Sequence, residues 1–268
     1  MTQSLRIVTL NTWKGEGDYP RRLALIEAGL ASLNADIICL QECLKVPERG
    51  FDTGAFLGDQ LGLHVVQAEA REKFRSVGPE SVLSTSGLAV LSRKSPQATM
   101  VLPLETDDDD GGRCLLIAGF EHAGDWIWVG NLHASHLRGE HGAALRRRQI
   151  DQTAAALADL PPGPVILAGD FNARLDAPEC GSLFTAPELD WGPDPISSLP
   201  PTINEGLRSH SPSQASVIDH IVLLRAGMAW RVARRQRALD TAAPDDGQYP
   251  SDHAAIVVDL VKTEGTPR

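Results

Sequence analysis

The chain has 268 residues, 42% of them hydrophobic, and a formal net charge of −10. That length and apolar content suit one domain with a substantial core, and no apolar run approaches the roughly 20 residues of a membrane-spanning helix. The acidic balance disfavours indiscriminate binding to duplex DNA, although a local basic patch or a bound metal ion can outweigh it.

In chain order, residues 5–11 (LRIVTLN) read as a strand, reached too soon after the start for a signal peptide. Pro20 opens a helix with Leu23, Ile26, Leu30 and Leu33 at helical spacing and Asp18 placed to cap it. Ile37 to Leu40 form a second buried strand, ending in Gln41 and Glu42. Residues 45–85 read as irregular, with a short helix near 54–61. Strands follow at 86–93, 113–120 and 126–135, and the acidic run ETDDDDGG (105–112) reads as a solvated, solubilising loop without EF-hand spacing. A helix over 140–159 carries Leu145, Ile150 and Leu157. After it come a strand at 164–170, a proline-rich loop over 185–201, and strand-like stretches at 216–224, 228–238 and 254–261. Strands outnumber helices in mixed order, which suits a two-sheet α/β sandwich better than a doubly wound single sheet. No boundary divides the chain, so a single domain is expected over 1–268. Cys39, Cys43, Cys114 and Cys180 lack CxxC spacing, and Cys39 reads as a core thiol. A cytoplasmic location fits them best.

The stretch VILAGDFN (165–172) is an apolar strand that stops at Asp170 and Asn172. Alternate strand residues point the same way, so the two side chains can share a pocket. Alone, this is most simply the start of a turn. Five further strand boundaries carry similar residues: Asn11, Glu42, His133, Asp219, and Asp252 with His253. Side chains at separate strand ends can converge on one crevice. Carboxylate and amide oxygens suit a hard cation, Mg²⁺ or Mn²⁺, and adjacent histidines suit proton transfer or binding of charged phosphate oxygens. The combination points to metal-assisted hydrolysis of a phosphate ester.

Other polar residues have ordinary readings beside functional ones. His136 and His141 read as a polar loop near the site, since no partner has zinc-like spacing. Arg146 to Arg148 diverge on a helix and read as a solvated face. Arg138 and Arg174 are candidates to reach a substrate phosphate. Arg71, Lys73 and Arg75 could meet a second phosphate or be surface charge. Trp13 reads as packing beneath the site, and His220 as facing away from it.

The ordered set LNTW (10–13), LQE (40–42), GNLH (130–133), GDFN (169–172), IDHI (218–221) and SDH (251–253) resembles the endonuclease/exonuclease/phosphatase superfamily, with its deoxyribonuclease-I-like fold. The resemblance implies a four-layer α-β-β-α sandwich of two mixed β-sheets flanked by helices, and a divalent-metal phosphoesterase. It implies that Glu42 holds the metal, with Asn11 and Asp252 in or near its shell. Asp170 orients or deprotonates the attacking water, Asn172 positions the phosphate, and His133 stabilises transition-state oxygens or assists the leaving group. His253, paired to Asp219, contacts the phosphate or acts as base. LNTW, SGLAVLSR and NLHAS look somewhat like the neutral sphingomyelinase branch, yet aromatics are only 5% and no aromatic-rich hairpin is identifiable. The expectation is therefore a phosphodiesterase acting on a small or lipid-type phosphodiester. The alternatives are a nuclease acting on DNA or RNA, with a basic groove from Arg138, Arg146 to Arg148 and Arg174, and a catalytically silent scaffold of the same fold.

Overall fold

The computed structural model describes residues 3–77, 80–186, 188–189, 199–204, 206–207, 216–225 and 230–262, with the backbone alone at 76, 77 and 80. The chain begins with β1 (Ser4–Asn11), α1 (Tyr19–Leu33) and β2 (Ile37–Val46). Asp18 caps α1, its side chain accepting from the Arg21 amide, which leaves fewer free N–H groups at the helix start. β3 (Phe51–Asp52), α2 (Thr53–Leu61), β4 (His64–Val77) and β5 (Glu80–Ser92) follow. Next come β6 (Ala98–Leu104), β7 (Arg113–His122), β8 (Asp125–His133), α3 (Gly139–Ala158) and β9 (Val165–Asp170). α4 (Ser182–Thr185), β10 (Asp219–Arg225), β11 (Trp230–Ala238) and β12 (Ala255–Lys262) complete the described elements.

The strands form two mixed sheets. One has seven strands in the order β11-β12-β1-β2-β5-β4, with β3 paired to β2; the other has five in the order β10-β9-β8-β7-β6. Ile7, Cys39 and Val90 of the first sheet pack against Leu116, Val129, Ile166 and Ile221 of the second. Ile26 and Leu30 of α1 and Leu57 of α2 cover the outer face of the larger sheet, on Val8, Leu10, Ile38 and Leu40. Ile150, Ala154 and Leu157 of α3 cover the smaller one, on Leu115, Leu132, Val165 and Leu167. Strands covered on both faces are apolar throughout, which is why runs such as VILA carry no alternation. This is the four-layer sandwich expected.

Three expectations are corrected. Residues 64–77 are not irregular but pair with β5 in a long hairpin; the charged tract AREKFR hid the strand because it runs beyond the core. β6, missed in the sequence, is an edge strand with Met100 and Val101 exposed. β2 does not end at Glu42 but continues to Val46 through a bulge. The proline-rich stretch 185–201 lies largely outside the described residues. No helix among the described residues is long and apolar enough to cross a membrane. All four cysteines are free and buried.

Candidate active site

The strand ends meet because the registers align them. His133 pairs with Asp170 across parallel β8 and β9, and Asp219 pairs with Asp170 across antiparallel β9 and β10. Gly169 makes the first alignment feasible. Its φ is 144°, and a Cβ there would stand 1.9 Å from the Leu132 carbonyl oxygen, a conformation and approach that only glycine tolerates. From the other sheet come Asn11 at the end of β1 and Glu42 in β2. The Ser251 hydroxyl donates to the Asn11 carbonyl at 2.6 Å and accepts from the His253 amide at 3.2 Å, tying the segment before β12 to β1. Behind the site, Gln41 donates to Asn131 at 2.7 Å, and the Asn131 amide donates to the Leu40 and Ala89 carbonyls. This buried polar link joins the two sheets where their ends form the cleft.

The result is a cavity of about 340 Å³ lined by Asn11, Glu42, His133, Asp170, Asp252 and His253, with Asn172 also on its wall. Asp170 Oδ1 accepts the Asn172 amide at 2.9 Å. Its Oδ2 accepts Asn11 Nδ2 at 3.1 Å and lies 3.5 Å from His133 Nε2 and 3.8 Å from His253 Nε2. His253 Nδ1 is 2.8 Å from Asp219 Oδ2, so it donates there and its Nε2 faces Asp170. Burial, and then the Asp219 charge, raise the Asp170 carboxyl above the usual range. Burial alone would lower His253, but Asp219, Asp252 and Asp170 together push it well above the ordinary imidazole value. His133 is driven the other way by burial, with Arg113 and Lys14 adding to the effect.

Glu42 sits where the β2–β5 register shifts between Leu40 and Cys43, at φ 56°. The bulge re-aims one side chain into the cleft without ending the strand. Trp13, Lys14, Glu42 and Asn172, all lining the cavity, are four of the seven described non-glycine residues with positive φ. Backbone strain of this kind costs on the order of 1–3 kcal/mol per residue and persists only where its surroundings enforce it. For Trp13 and Lys14 the enforcing group is Arg22. Its guanidinium is fully buried and donates to the carbonyls of Thr12, Trp13, Lys14, Glu16 and Pro250. It also stacks 4.9 Å from the Trp13 ring centre. Trp13 is therefore a cavity wall as well as packing.

The donor types fit a divalent cation. Glu42 and Asp252 both face the cavity, and burial, with Glu42 among the nearby charges, raises the Asp252 carboxyl. Lys14 Nζ, 2.7 Å from Glu42, partly offsets this charge and, against the effect of burial, holds the Glu42 carboxyl below its usual range. Carboxylate oxygens of this kind suit a hard divalent cation. Ligand atoms of Asp170, Asp219 and His253 also lie within 4.8 Å of one another. The 2.8 Å bond between His253 and Asp219 already engages two of these three, while the Glu42 and Asp252 carboxyls line the same cavity. Asn11 lies beside them, but its carbonyl accepts the Trp13 amide and its amide serves Asp170.

Other expected residues sort differently. Arg138 lines the cavity; Arg174 lies outside it, paired with Asp176 at 2.6 Å. Arg146 is buried and pairs with Glu179, rather than lying on a solvated face, and Arg148 pairs with Glu105. The acidic loop is likewise not all solvated. Asp110 is fully buried and accepts from Arg113 at 2.7 and 2.9 Å and from His136 at 2.7 Å. Arg113 and His136 line the cavity, as do Arg71, Lys73 and Lys14. His220 faces away and contacts the Ala173 carbonyl at 2.9 Å. Sequence reasoning missed Lys14, Arg22, Asp110 and Arg113. Only Lys14, beside the LNTW motif, carried a positional signal.

The endonuclease/exonuclease/phosphatase family profile matches residues 8–253. No curated protein sequence matches. Among solved structures, an endonuclease/exonuclease/phosphatase from Beutenbergia cavernae is similar at TM-score 0.73 and 23% identity, covering 99% of this chain and 73% of that one. The human Nocturnin catalytic domain with a bound sulfate anion is similar at TM-score 0.69 and 20% identity, covering 97% and 94%. D. rerio TDP2 complexed with a single-strand DNA product is similar at TM-score 0.68 and 16% identity, covering 96% and 98%. The profile match spans nearly the whole sandwich and every strand end that builds the cavity: the chain belongs to the endonuclease/exonuclease/phosphatase family.

Proposed function

We propose that the chain, as a single domain over 1–268, is a divalent-metal-dependent phosphodiesterase acting on a small or lipid-type phosphodiester. One observation carries this reading: a buried carboxylate, Asp170, stands between two imidazoles, one fixed by Asp219, in the same cavity as Glu42. Glu42 and Asp252, with Asn11 beside them, would hold Mg²⁺ or Mn²⁺. The cation would supply positive charge for the phosphoryl oxygens.

The chain's own residues divide the remaining work. Asp170, with its raised affinity for a proton, accepts the proton of the attacking water. The Asn172 amide and Asn11 hold its two oxygens in place. His253, kept protonated by Asp219, presents Nε2–H to the phosphoryl oxygens. His133, held neutral, contacts the leaving-group side. Asn172 positions the phosphate, and Arg138 reaches its outer oxygens.

The test is hydrolysis of bis(p-nitrophenyl) phosphate with Mg²⁺ or Mn²⁺, with p-nitrophenyl phosphate and sphingomyelin in parallel. Metal-dependent turnover lost in Asp170→Ala and His253→Ala supports the assignment; full activity in both variants refutes it. Cations on the cavity wall favour a second reading, a nuclease, in line with the single-strand DNA product in the TDP2 structure. Its groove would differ from the one expected, because Arg146, Arg148 and Arg174 are paired elsewhere. Cleavage of plasmid or single strands, with affinity falling steeply with salt, would establish it. The scaffold reading predicts no Mg²⁺ or Mn²⁺ binding in a titration.

A further inference from the structure

The β4–β5 hairpin carries a change of phase. On β5, Val82, Ser84, Ser86, Leu88 and Val90 are all buried on one face. Their partners on β4 are Arg75, Lys73, Arg71, Ala68 and Val66 respectively, because the register shifts between Glu69 and Arg71. Cross-strand partners share a face of the sheet. Without the bulge, Glu72 and Phe74 would take the places that Lys73 and Arg75 hold. With it, the face that covers the core at Val66 and Ala68 continues as a row of cations. Phe74 is turned to solvent, 68% exposed. Gly87 permits the bulge, since a Cβ there would stand 2.0 Å from the Ala68 carbonyl oxygen.

The cations of this row differ from most paired cations in the chain. Arg6, Arg21, Lys45, Arg146 and Arg148 each have a carboxylate partner. At the cavity, Lys14 is taken by Glu42 and Arg113 by Asp110. Among the described residues, Arg71, Lys73 and Arg138 line the cavity with no carboxylate partner, and of these Arg138 serves the reacting phosphate in the proposed mechanism. Arg71 only approaches the Asp109 carbonyl, at 3.4 Å. Arg75 is held by the Ser84 carbonyl and the Ser84 and Ser86 hydroxyls. Lys73, though exposed, is disfavoured as a cation by partial desolvation and by Arg71, Arg75 and Lys14 around it. An anion bound there would relieve this crowding. Arg71 and Lys73 sit two positions apart on a strand, about 6.6 Å, and belong to the cavity wall rather than to the Asp170 cluster.

We propose that the cleft face of β4 is a second phosphoryl subsite, in which Arg71 and Lys73 bind a phosphate group of the substrate other than the one that reacts. This rests on the phosphodiesterase reading and narrows it to substrates carrying two phosphoryl groups. Such a ligand comes either as a free bisphosphorylated small molecule or as neighbouring phosphates of a single strand.

The probes are the p-nitrophenyl ester of thymidine 5′-phosphate, bearing either a 3′-hydroxyl or a 3′-phosphate. The 3′-phosphate is expected to raise kcat/KM about tenfold or more, mainly through KM, as charge-assisted hydrogen bonds of this type allow. In Arg71→Ala/Lys73→Ala that ratio should fall to about one; effects on the shared reaction cancel in it. An unchanged ratio in the double variant, or no preference in the parent protein, overturns the subsite. Replacing the 3′-phosphate by a 3′-phosphodiester to a second nucleoside separates the sources. A retained preference indicates neighbouring phosphates of a strand, and a lost one a terminal phosphate. Calorimetric binding of thymidine 3′,5′-bisphosphate against thymidine 5′-phosphate keeps the two proposals apart. Tighter bisphosphate binding that needs Arg71 and Lys73, without turnover of either ester, would sink the phosphodiesterase reading and leave the subsite standing.

Discussion

Replacing Arg22 by alanine tests whether the site loop is held by a single buried guanidinium. Arg22 is fully buried in α1 and donates to five main-chain carbonyls, four of them in the 12–16 segment that carries Trp13 and Lys14 at positive φ. Each hydrogen bond to a charged group is worth about 1.5–3 kcal/mol net, but the sum is not additive, and the cost of burying the guanidinium is recovered on truncation. The variant would leave several buried carbonyls without donors, a change of about 3–5 kcal/mol. For a chain of this size that corresponds to a Tm about 10 °C lower. Thermal and urea unfolding measure it, and Arg22→Lys, with three donors and no fork, should recover only part of the loss. A change below about 1 kcal/mol in Arg22→Ala would refute the reasoning, because the strained turn would then be stable by itself.

Three further outcomes are expected. Asp219→Asn should lower kcat on bis(p-nitrophenyl) phosphate by about 100-fold or more with KM and Tm little changed, since it removes the anion that orients His253; an unaltered kcat would remove the dyad from the mechanism. Gly169→Ala should cost about 3 kcal/mol or more, from a φ of 144° and a Cβ 1.9 Å from a carbonyl oxygen, and should depress activity beyond the stability loss by parting His133 from Asp170. Asp110→Asn tests pH linkage. Burial opposes ionisation of Asp110, but His136 and Arg113 outweigh it and hold the carboxyl below its usual range. A depressed folded-state pKa stabilises above the unfolded value, about 3.9, and that contribution is lost as pH falls toward the folded value. The urea midpoint of the parent protein should therefore exceed that of Asp110→Asn at pH 7, with the gap closing below pH 4; a gap that is constant with pH would contradict the assignment.

Much of this architecture was legible in the amino-acid sequence because it is local. The period of apolar residues marks α1 and α3, Asp18 announces its cap, and uninterrupted runs such as VILA mark strands buried on both faces. The convergence of the polar strand ends was legible as a set: one such end reads as a turn, but Asn11, Glu42, His133, Asp170, Asp252 and His253 together line one cavity. What the sequence could not express is phase and partnership. A bulge flips every later side chain to the other face with no local signature, so Glu42 seemed to end a strand that continues, and AREKFR seemed an irregular stretch when it is a strand with Arg71 and Lys73 on the cleft wall. Asp110 and Arg146 read as solvated charge because His136 and Glu179, which pair with them, lie 26 and 33 residues away. A charge becomes buried or exposed only once distant segments have packed around it. The residue types were therefore fixed by the sequence alone, whereas their register, orientation and charge pairing were decided by the two sheets closing on each other.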